Sequence, residues 1–414
     1  MMSKKSPQLR FEGFTDDWEE RKLGDVGDTF TGLTGKTKED FGHGSAKFVT
    51  YVNVFQNPIA TLDQLDAVEI DEKQNQVQKG DVFFTTSSET PEEVGMSSVW
   101  TYDTKNVYLN SFTFGYRPRV SFDLNYMASM LRSPSIRKKI TFLAQGISRY
   151  NISKTKMLEI EIPAPNLSEQ KKIGSFFKLL DDTIALHQRK LDLLKEQKKG
   201  YLQKMFPKNG AKVPELRFAG FADDWEERKL SDVANHRGGT AIEKYFDKDG
   251  VYKVISIGSY GLNSQYVDQN IRAISNKITD GRVVNSGELT MVLNDKTANG
   301  TIIGRSLLVE KDNEYVINQR TEIISPKENF DSNFAYTILN GPFREKVKRI
   351  VQGGTQIYVN YPAVSNLNLE LPKIEEQQKI GSFFKQLDDT IALHQRKLDL
   401  LKEQKKGFLQ KMFV

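Results

Sequence analysis

The segment "DDTIALHQRKLDLLKEQKKG" occupies residues Asp181–Gly200 and is repeated, letter for letter, at Asp388–Gly407. The identity extends outward, because a stretch that begins at Ile173 and its copy that begins at Ile380 continue the match with only two differences. A repeat of this length indicates that the fold uses the same structural element twice.

A second pair of segments shows that the whole chain is duplicated. "PQLRFEGFTDDWEERKLGDV" begins at Pro7, and "PELRFAGFADDWEERKLSDV" begins at Pro214. Pro7 and Pro214 lie 207 residues apart, as do Ile173 and Ile380. The 414-residue chain is therefore a tandem repeat of a unit with a shared opening and a shared closing segment.

The interiors of the two units differ, although a short motif still aligns. Residues 27–144 and 234–351 share little identity, whereas "QGISRYNI" from Gln145 and "QGGTQIYV" from Gln352 keep the same offset. Trp18 in the first opening segment and its repeat copy suggest packing anchors. The opening and closing segments are thus kept alike in both units, whereas the two interiors differ. The interiors are therefore expected to carry a specific property that differs between the units.

Apolar residues in the closing segments alternate three and four apart, which predicts an a/d coiled-coil seam. The first seam comprises Phe177, Leu180, Ile184, His187, Leu191, Leu194, Lys198, Tyr201 and Met205. The second comprises Phe384, Leu387, Ile391, His394, Leu398, Leu401, Lys405, Phe408 and Met412. Because a seam must be covered and the second helix returns along the chain, we expect the twins to pair antiparallel.

The ends of the first helix are also predicted. Ser168 is the expected N-cap and Pro207 the stop, which gives about 38 residues and a length of roughly 57 Å. Gly200 lies inside, where either a close backbone approach or simple tolerance explains it. His187 and His394 are expected near each other as a polar pair. Because the chain holds four histidines in all and no cysteine, no metal site is implied.

Composition bounds the class of protein. Net charge is +5 and the pI is about 8.9, which permits a polyanionic partner without requiring one. The absence of cysteine favours a reducing compartment. The polar N-terminal residues and the lack of a long apolar run predict a cytoplasmic protein without a membrane segment.

Side chains suited to DNA contact cluster near predicted turns of the divergent interiors. Arg, Lys, Asn and Gln can read base edges, while phosphates take most contacts. The candidates are Lys36, Lys38, Arg149, Tyr150, Lys154, His236, Arg237, Lys296, Arg305, Thr355, Gln356 and Tyr358. No catalytic residue is assigned, because no methyl-transfer motif, nucleophile set or phosphate loop is present; "GLTGKT" has Phe30 where that loop needs glycine.

The arrangement resembles the specificity subunit of type I restriction–modification systems over essentially the whole chain. The family's "P-x-x-x-E-Q" helix start is matched at Pro165 to Gln170 and at Pro372 to Gln377, with a Gly-Ser/Thr turn upstream at Gly146 and Gly353. The resemblance implies an α+β fold, with two pseudo-symmetric α/β target-recognition domains joined by a long antiparallel two-helix coiled coil.

The domains implied are a first target-recognition domain (1–165), a first conserved helix (166–207), a second target-recognition domain (208–372) and a second conserved helix (373–414). Each recognition domain would read one half of an asymmetric bipartite DNA target. The helices, with Gly174, Gly381 and the exposed charged faces of both helices as candidates, would dock two adenine-methylating modification subunits and, through them, restriction subunits. S-adenosylmethionine, ATP and Mg²⁺ would bind those partners, and this chain would carry no cofactor.

Two other functions stay open at this stage. A self-sufficient DNA-modifying enzyme would transfer a methyl group or cleave DNA alone, and the missing motifs disfavour it. A coiled-coil scaffold without DNA binding would never shift duplex DNA, and the two divergent interiors disfavour it.

Overall fold

Strands and helices follow the same order in the two halves of the chain. The structure, a computed structural model, describes residues 6–208 and 210–413. The strands of the first half are β1 (Glu19–Lys22), β2 (Gly27–Thr31), β3 (Phe41–Val49), β4 (Leu65–Val68), β5 (Val82–Thr85), β6 (Ser87–Ser88), β7 (Ser97–Val99), β8 (Val107–Leu109), β9 (Thr113–Pro118), β10 (Tyr150–Asn151) and β11 (Glu161–Ala164). Its helices are α1 (Leu23–Val26), α2 (Tyr51–Gln56), α3 (Leu124–Leu131), α4 (Pro134–Phe142), α5 (Lys154–Leu158) and α6 (Leu167–Lys204).

The second half repeats this plan. Its strands are β12 (Glu226–Lys229), β13 (Ala234–Gly238), β14 (Tyr252–Ile255), β15 (Arg272–Ala273), β16 (Val283–Val284), β17 (Leu289–Val292), β18 (Asn294–Asp295), β19 (Ser306–Leu308), β20 (Tyr315–Ile317), β21 (Thr321–Pro326), β22 (Gln352–Gly353), β23 (Ile357–Tyr358) and β24 (Asn368–Leu371). Its helices are α7 (Leu230–Val233), α8 (Lys277–Asp280), α9 (Ser332–Asn340), α10 (Pro342–Lys348), α11 (Tyr361–Ser365) and α12 (Ile374–Met412). The predicted α+β fold with two long helices is confirmed.

The described residues divide into two units that each take part of both long helices. Unit 1 runs up to Arg189 and resumes at Arg396, and unit 2 is Lys190–Gln395. The main antiparallel sheet has the order β2-β9-β5-β7 in unit 1 and β13-β21-β17-β19 in unit 2. A second sheet has the order β4-β3-β8 in unit 1 and β15-β14-β20-β16 in unit 2. Each contains one parallel pair, β3–β8 in unit 1 and β14–β20 in unit 2.

The shared opening segment packs onto the start of the long helix in each unit. Trp18 is 2 % exposed, and the Arg10 guanidinium donates to both carboxylate oxygens of the buried Glu169 at 2.6 and 2.8 Å. In unit 2 the Arg217 guanidinium meets Glu376 at 2.7 and 2.8 Å. The glutamate of the "E-Q" motif therefore neutralises an arginine of the opening segment, and the interpretation of these segments as packing elements is confirmed.

The glutamine of the same motif ties the long helix to the N-cap residue of a shorter helix, α3 in unit 1 and α9 in unit 2. Gln170 Oε1 accepts from the Asp123 backbone N–H at 3.1 Å, and its amide donates to the Pro165 carbonyl at 2.8 Å. Gln377 repeats both bonds with Asp331 and Pro372. Both amide groups are thus satisfied where water is excluded.

Within unit 1 the two long helices run antiparallel. Phe176 faces Phe408 with ring centroids 5.0 Å apart, and Asp181 pairs with Lys405 at 2.5 Å, so rising numbers on one helix meet falling numbers on the other. The predicted seam residues of both helices are buried or half-buried. Phe177 and Met412 belong to the main core of this unit.

Unit 2 repeats the contacts at equivalent positions. Tyr201 faces Phe383 with centroids 5.0 Å apart, and Lys198 pairs with Asp388 at 2.5 Å. Since Tyr201 and Phe408 are equivalent seam positions, the substitution keeps an aromatic ring in the same contact. The antiparallel direction is therefore established inside each unit separately.

Three details of the first helix are decided by the structure. The N-cap is Asn166 rather than Ser168, because Asn166 Oδ1 accepts from the Glu169 N–H at 2.9 Å. A Cβ on Gly200 would meet nothing within 4 Å, so no close backbone approach accounts for this glycine. A Cβ on Gly174 would lie 2.1 Å from Asp123 Oδ1, so this buried glycine serves contact with its own unit.

Gly381 is equivalent to Gly174 and has the same surroundings. A Cβ there would lie 2.6 Å from the Phe334 backbone nitrogen and 2.7 Å from Asp331 Oδ1. The hypothesis that these two glycines bind a partner is therefore wrong. Among the described residues, no helix is long and apolar enough to cross a membrane.

Candidate nucleic-acid interface

Residues 145–151, hereafter hairpin 1, form an exposed turn in unit 1. The Gln145 and Asn151 backbones exchange two hydrogen bonds at 2.9 and 2.8 Å. Gly146 has φ +141°, and a Cβ there would lie 2.0 Å from the Arg149 carbonyl oxygen, so only glycine fits. Ile147 stands at the tip and is 96 % exposed. The turn therefore projects side chains into solvent on a tightly closed backbone.

Residues 352–358, hereafter hairpin 2, repeat this backbone in unit 2. β22 pairs with β23 through Gln352–Tyr358 and Gly353–Ile357. Gly353 has φ +102°, and a Cβ there would lie 2.2 Å from the Gln356 carbonyl oxygen. The tight turn is therefore a shared feature of both interiors.

Each hairpin pairs with the start of one neighbouring loop. β10 pairs with β6, which opens residues 88–95, hereafter loop 1. β23 pairs with β18, which opens residues 295–304, hereafter loop 2. Both loops close on a left-handed glycine, Gly95 with φ +63° and Gly304 with φ +69°. Hairpin and loop therefore form one composite surface in each unit.

The exposed charged side chains of the two loops are of opposite sign. Loop 1 exposes Glu89, Glu92 and Glu93, whereas loop 2 exposes Lys296 and Asn299. Carboxylates can accept from the cytosine amino group, while lysine and amide side chains suit guanine and adenine edges. The composite surfaces share the hairpin backbone and differ in the length of the loop and in the chemistry that they present.

Loop 2 is held in shape by Asp295, whose side chain is buried. Its carboxylate accepts from the backbone N–H groups of Thr297 and Ile302, both at 2.9 Å. Burial works to raise the pKa of Asp295, but the hydrogen bonds from Ile302 and Thr297 outweigh it and lower the pKa. The carboxylate therefore stays ionised and keeps the exposed crown of the loop, which contains Lys296 and Asn299, ordered.

Six of the predicted DNA-binding residues lie on these surfaces, and a seventh lies shortly after hairpin 1. Hairpin 1 carries the exposed Arg149 and the half-buried Tyr150, and the half-buried Lys154 begins α5 just after it. Hairpin 2 and loop 2 bring together the exposed side chains of four further residues: Lys296, Thr355, Gln356 and Tyr358.

Arg305 lies at the base of loop 2 rather than on its crown. Its Nε donates to the Thr301 carbonyl at 2.9 Å, and Nη1 donates to Ser264 Oγ at 2.9 Å. Burial lowers the pKa of Arg305. The guanidinium thus bonds to the base of the loop and to Ser264, and it is not part of the exposed surface.

The remaining candidates lie on other elements. Lys36 and Lys38 lie between β2 and β3, and Lys36 Nζ is 3.0 Å from Asp71 Oδ2, with its side chain 13 % exposed. The hydrogen bond to Asp71 raises the pKa of Lys36. Lys38 is exposed. Neither residue belongs to hairpin 1 or loop 1.

His236 and Arg237 lie on β13, the edge strand of the main sheet of unit 2. His236 Nδ1 is 2.6 Å from Glu322 Oε1, and Arg237 Nη2 meets both carboxylate oxygens of Glu288 at 2.7 and 2.9 Å. Both side chains therefore already have carboxylate partners. In the described part of the chain, no group of three or more His, Asp or Glu residues could hold a metal ion.

Comparison with known proteins identifies the family. The family described as "Type I restriction modification DNA specificity domain" matches residues 15–196 and again residues 222–403. The two matches follow the duplication and cover most of the chain. The chain belongs to this family.

Known specificity subunits align with this one over much of its length. The MjaVIII type I restriction enzyme specificity subunit of Methanocaldococcus jannaschii is 26 % identical over 288 residues, covering 66 % of this chain and 67 % of that protein. The putative MjaX specificity subunit of the same organism is 22 % identical over 415 residues, covering 95 % and 92 %. The protein is thus a specificity subunit, the non-catalytic member of a type I restriction–modification system.

Solved structures show the same fold. The S subunit of a type I restriction–modification system from M. genitalium superposes with a TM-score of 0.64 at 14 % identity, covering 99 % of both chains. A chain from a structure titled "Structural basis underlying complex assembly and conformational transition of the type I R-M system" gives 0.54 at 16 % identity, covering 95 % and 97 %. At such low identity these likenesses show the fold of the specificity subunit alone.

Sequence reasoning missed several residues that shape the specificity subunit's candidate interface. The acidic residues of loop 1 are absent from the sequence-based prediction, because that prediction rests on cationic, amide, hydroxyl and aromatic side chains. Arg137 and Arg344, which lie beneath the two loops, were overlooked as well. Their signal was present, since both are arginine at the common offset inside otherwise divergent interiors.

Proposed function

We propose that the chain binds double-stranded DNA and that each unit reads one half of an asymmetric bipartite target. The observation that carries the proposal is the pair of composite surfaces, which share the hairpin backbone but present different exposed side chains. A protein that read one sequence twice would keep both surfaces alike. Retained geometry with changed chemistry suits two different half-sites.

The exposed cations of the composite surfaces support DNA contact. Arg149 and Lys296 have exposed side chains on hairpin 1 and loop 2. Lys36 and Arg237, in contrast, each have a carboxylate neighbour that a phosphate would have to displace. We therefore assign phosphate and base contacts first to the hairpins and loops.

We also propose that the long helices set the distance between the half-sites. α6 is unbroken for 38 residues and α12 for 39. At 1.5 Å per residue each rod is about 57 Å long. A pair of equal antiparallel helices has a local two-fold axis, as does the DNA duplex, so such a pair suits half-sites at a fixed spacing.

Exposed leucines on the long helices support docking of modification subunits. In unit 1, Leu179, Leu186 and Leu400 are 68, 60 and 58 % exposed. In unit 2, Leu193 and Leu393 are 53 and 59 % exposed. The leucines lie off the internal seam at heptad spacing, the pattern that a partner helix covers.

Because the two helices repeat this pattern, two copies of the same partner fit the chain. We propose that these are modification subunits, which bind S-adenosylmethionine and methylate adenine. Restriction subunits, with ATP and Mg²⁺, would join the same complex. The proposed location of the assembly is the cytoplasm.

Mapping adenine methylation at base resolution tests the proposal. Cells with active modification subunits are compared with and without the gene for this chain. We expect methylation at one asymmetric bipartite sequence only when the chain is present. An unchanged methylation map would contradict the proposal.

Docking is tested separately with the double variant Leu186→Asp/Leu393→Asp, which changes equivalent positions on the two helices. We expect loss of co-purification with the modification subunit, while unfolding stability changes by about 0.5 kcal/mol or less, since both side chains are exposed. Leu262→Asp, at a residue 70 % exposed outside the helices, is the control. Retained co-purification by the double variant would contradict the proposed surface.

A further inference from the structure

A buried arginine lies directly beneath loop 2. Arg344 belongs to α10 and is 7 % exposed. Its Nε donates to the Ile303 carbonyl at 2.9 Å, and Nη2 donates to the carbonyls of Gly300 and Thr301 at 3.0 and 2.8 Å. One guanidinium thus engages three backbone carbonyls in the closing arm of the loop.

Unit 1 has the same device at the equivalent position. Arg137 belongs to α4 and lies 207 residues before Arg344. Its Nη1 donates to the Gly95 carbonyl at 2.7 Å, and Nη2 donates to the carbonyls of Glu92 and Val94 at 2.8 and 2.6 Å. Loop 1, which exposes glutamates, is therefore held in the same way as loop 2, which exposes Lys296.

The glycines that close the two loops, Gly95 and Gly304, also pack against equivalent positions of the helix beneath each loop. A Cβ on Gly95 would lie 2.7 Å from Ile140 Cγ2, and a Cβ on Gly304 would lie 2.8 Å from Val347 Cγ1. Ile140 and Val347 are also 207 residues apart, one helical turn after the arginines. The helix beneath each loop therefore fixes the same backbone arm by both hydrogen bonds and packing.

Burying a cation for this purpose is costly, which makes a specific role necessary. Burial lowers the pKa of Arg137 and of Arg344 to about 10, so both remain charged at neutral pH. The planar guanidinium offers five donors in a fixed fork, whereas a lysine ammonium is a compact point charge without that geometry. The rigid fork of Arg344 donates to three carbonyls at once, and a lysine ammonium would not reproduce that geometry.

The arm held by each arginine carries an exposed crown. In loop 2 the crown contains Lys296 and Asn299, and in loop 1 it contains Glu89 and Glu93. The arginines themselves lie below the crown, with Arg344 nearly inaccessible to any ligand. Their influence on DNA must therefore pass through the position of the loop.

We propose that Arg344 and Arg137 are positioning residues that hold the base-reading loop of their own unit, so that each sets discrimination at one half-site. The inference rests on the proposed function, because it requires the loops to face DNA. A displaced loop would lose correct base contacts while phosphate contacts elsewhere persist. Discrimination should then fall more than overall binding.

The test uses Arg344→Lys in the full chain, assembled with its modification subunits. Methylation is measured on a library of targets that carry single-base changes in either half. We expect discrimination between the correct and altered bases to fall about tenfold in the half read by unit 2, within the range for loss of one good base contact. The other half should keep its wild-type discrimination.

Two variants make the result decisive. Arg137→Lys should produce the reciprocal loss in the half read by unit 1, so the test stands even if one variant fails to fold. Glu345→Gln changes an exposed neighbour of Arg344 and should leave both halves unchanged. Undiminished discrimination, or an equal loss in both halves, would overturn the inference. Absence of chain-dependent methylation in the wild type would instead overturn the proposed function.

Discussion

Loop 1 and loop 2 occupy equivalent places in the two units, yet they differ in length and charge. Loop 1 spans residues 88–95 and exposes three glutamates, whereas loop 2 spans residues 295–304 and exposes Lys296 and Asn299. The hairpins beside them have the same tight glycine turn. The comparison shows that the hairpin backbone is kept in both units, whereas the exposed side chains of the neighbouring loop differ between them.

The largest expected effect concerns the scaffold that the units share. Glu169→Ala would leave Arg10, whose side chain is 13 % exposed, without its carboxylate. Removing one partner of a buried pair costs about 3–5 kcal/mol. Chemical denaturation should show this loss for Glu169→Ala and for Glu376→Ala, which breaks the equivalent pair in unit 2.

Unit 1 has one further bond in this scaffold, which sharpens the comparison. Trp18 Nε1 donates to Glu169 at 3.2 Å, whereas Trp225 Nε1 has no hydrogen-bond partner among the described residues. The loss should therefore be slightly larger in unit 1. Glu19→Ala, at an exposed ion pair, is the control and should change stability by about 0.5 kcal/mol or less. An equally small effect of Glu169→Ala would refute the shared scaffold.

Glycines on the same helix should respond oppositely to alanine. Gly174→Ala forces a Cβ against Asp123 and should destabilise the fold by about 1–3 kcal/mol, the usual range for overpacking. Gly200→Ala meets open space and should stabilise the helix by up to about 1 kcal/mol. Thermal unfolding measures both, and a neutral Gly174→Ala would contradict the close contact with α3.

Reversing the charge of one loop tests whether the loops meet DNA. Lys296→Glu should weaken DNA binding by the assembled complex. It should also make the slope of log K against log salt concentration shallower by about one, the share of one phosphate contact. Glu89→Lys changes the equivalent position of loop 1 and should strengthen binding. Titration of labelled duplex at several salt concentrations gives both slopes. If neither variant alters the slope, the loops do not lie near phosphates.

The smallest expected effect is a pH dependence specific to unit 2. Burial raises the pKa of Glu322, and the contact with His236 opposes that shift only in part. Proton uptake at Glu322 therefore stabilises the fold fully below the ordinary glutamate pKa of about 4, and this contribution is lost as pH rises through the higher folded pKa. Glu322→Gln should remove this pH dependence from the free energy of unfolding measured between the two pKa values. If the pH dependence is unchanged in the variant, it belongs to another group.

Sequence periodicity was sufficient for the long helices, because a/d spacing depends only on the geometry of the helix itself. The seam residues follow from this local pattern. The antiparallel direction was expected because the second helix returns along the chain, and the turns at Gly146 and Gly353 were expected from the family resemblance. The cap at Asn166 was missed because asparagine and serine are both good N-caps, and Asn166 and Ser168 lie only two residues apart. Tertiary packing, rather than local preference, decided the environment of Gly174.

The candidate interface was predictable only in part. Arg149 and Lys296 were found because exposed cations beside turns are a local signal. The ion pairs of Lys36 with Asp71 and of Arg237 with Glu288 join residues far apart in sequence, so composition and spacing could not show them. Arg137 and Arg344 hold loops more than 40 residues away, which only the folded chain brings near.

The most direct test of the account gives both units the same interior. In such a chain, residues 27–151 are replaced by their counterparts, residues 234–358, and adenine methylation is mapped with the assembled complex. The account predicts that the methylated site becomes an inverted repeat of the half-site that unit 2 reads. A site that keeps both original halves would contradict the claim that each unit reads its own half.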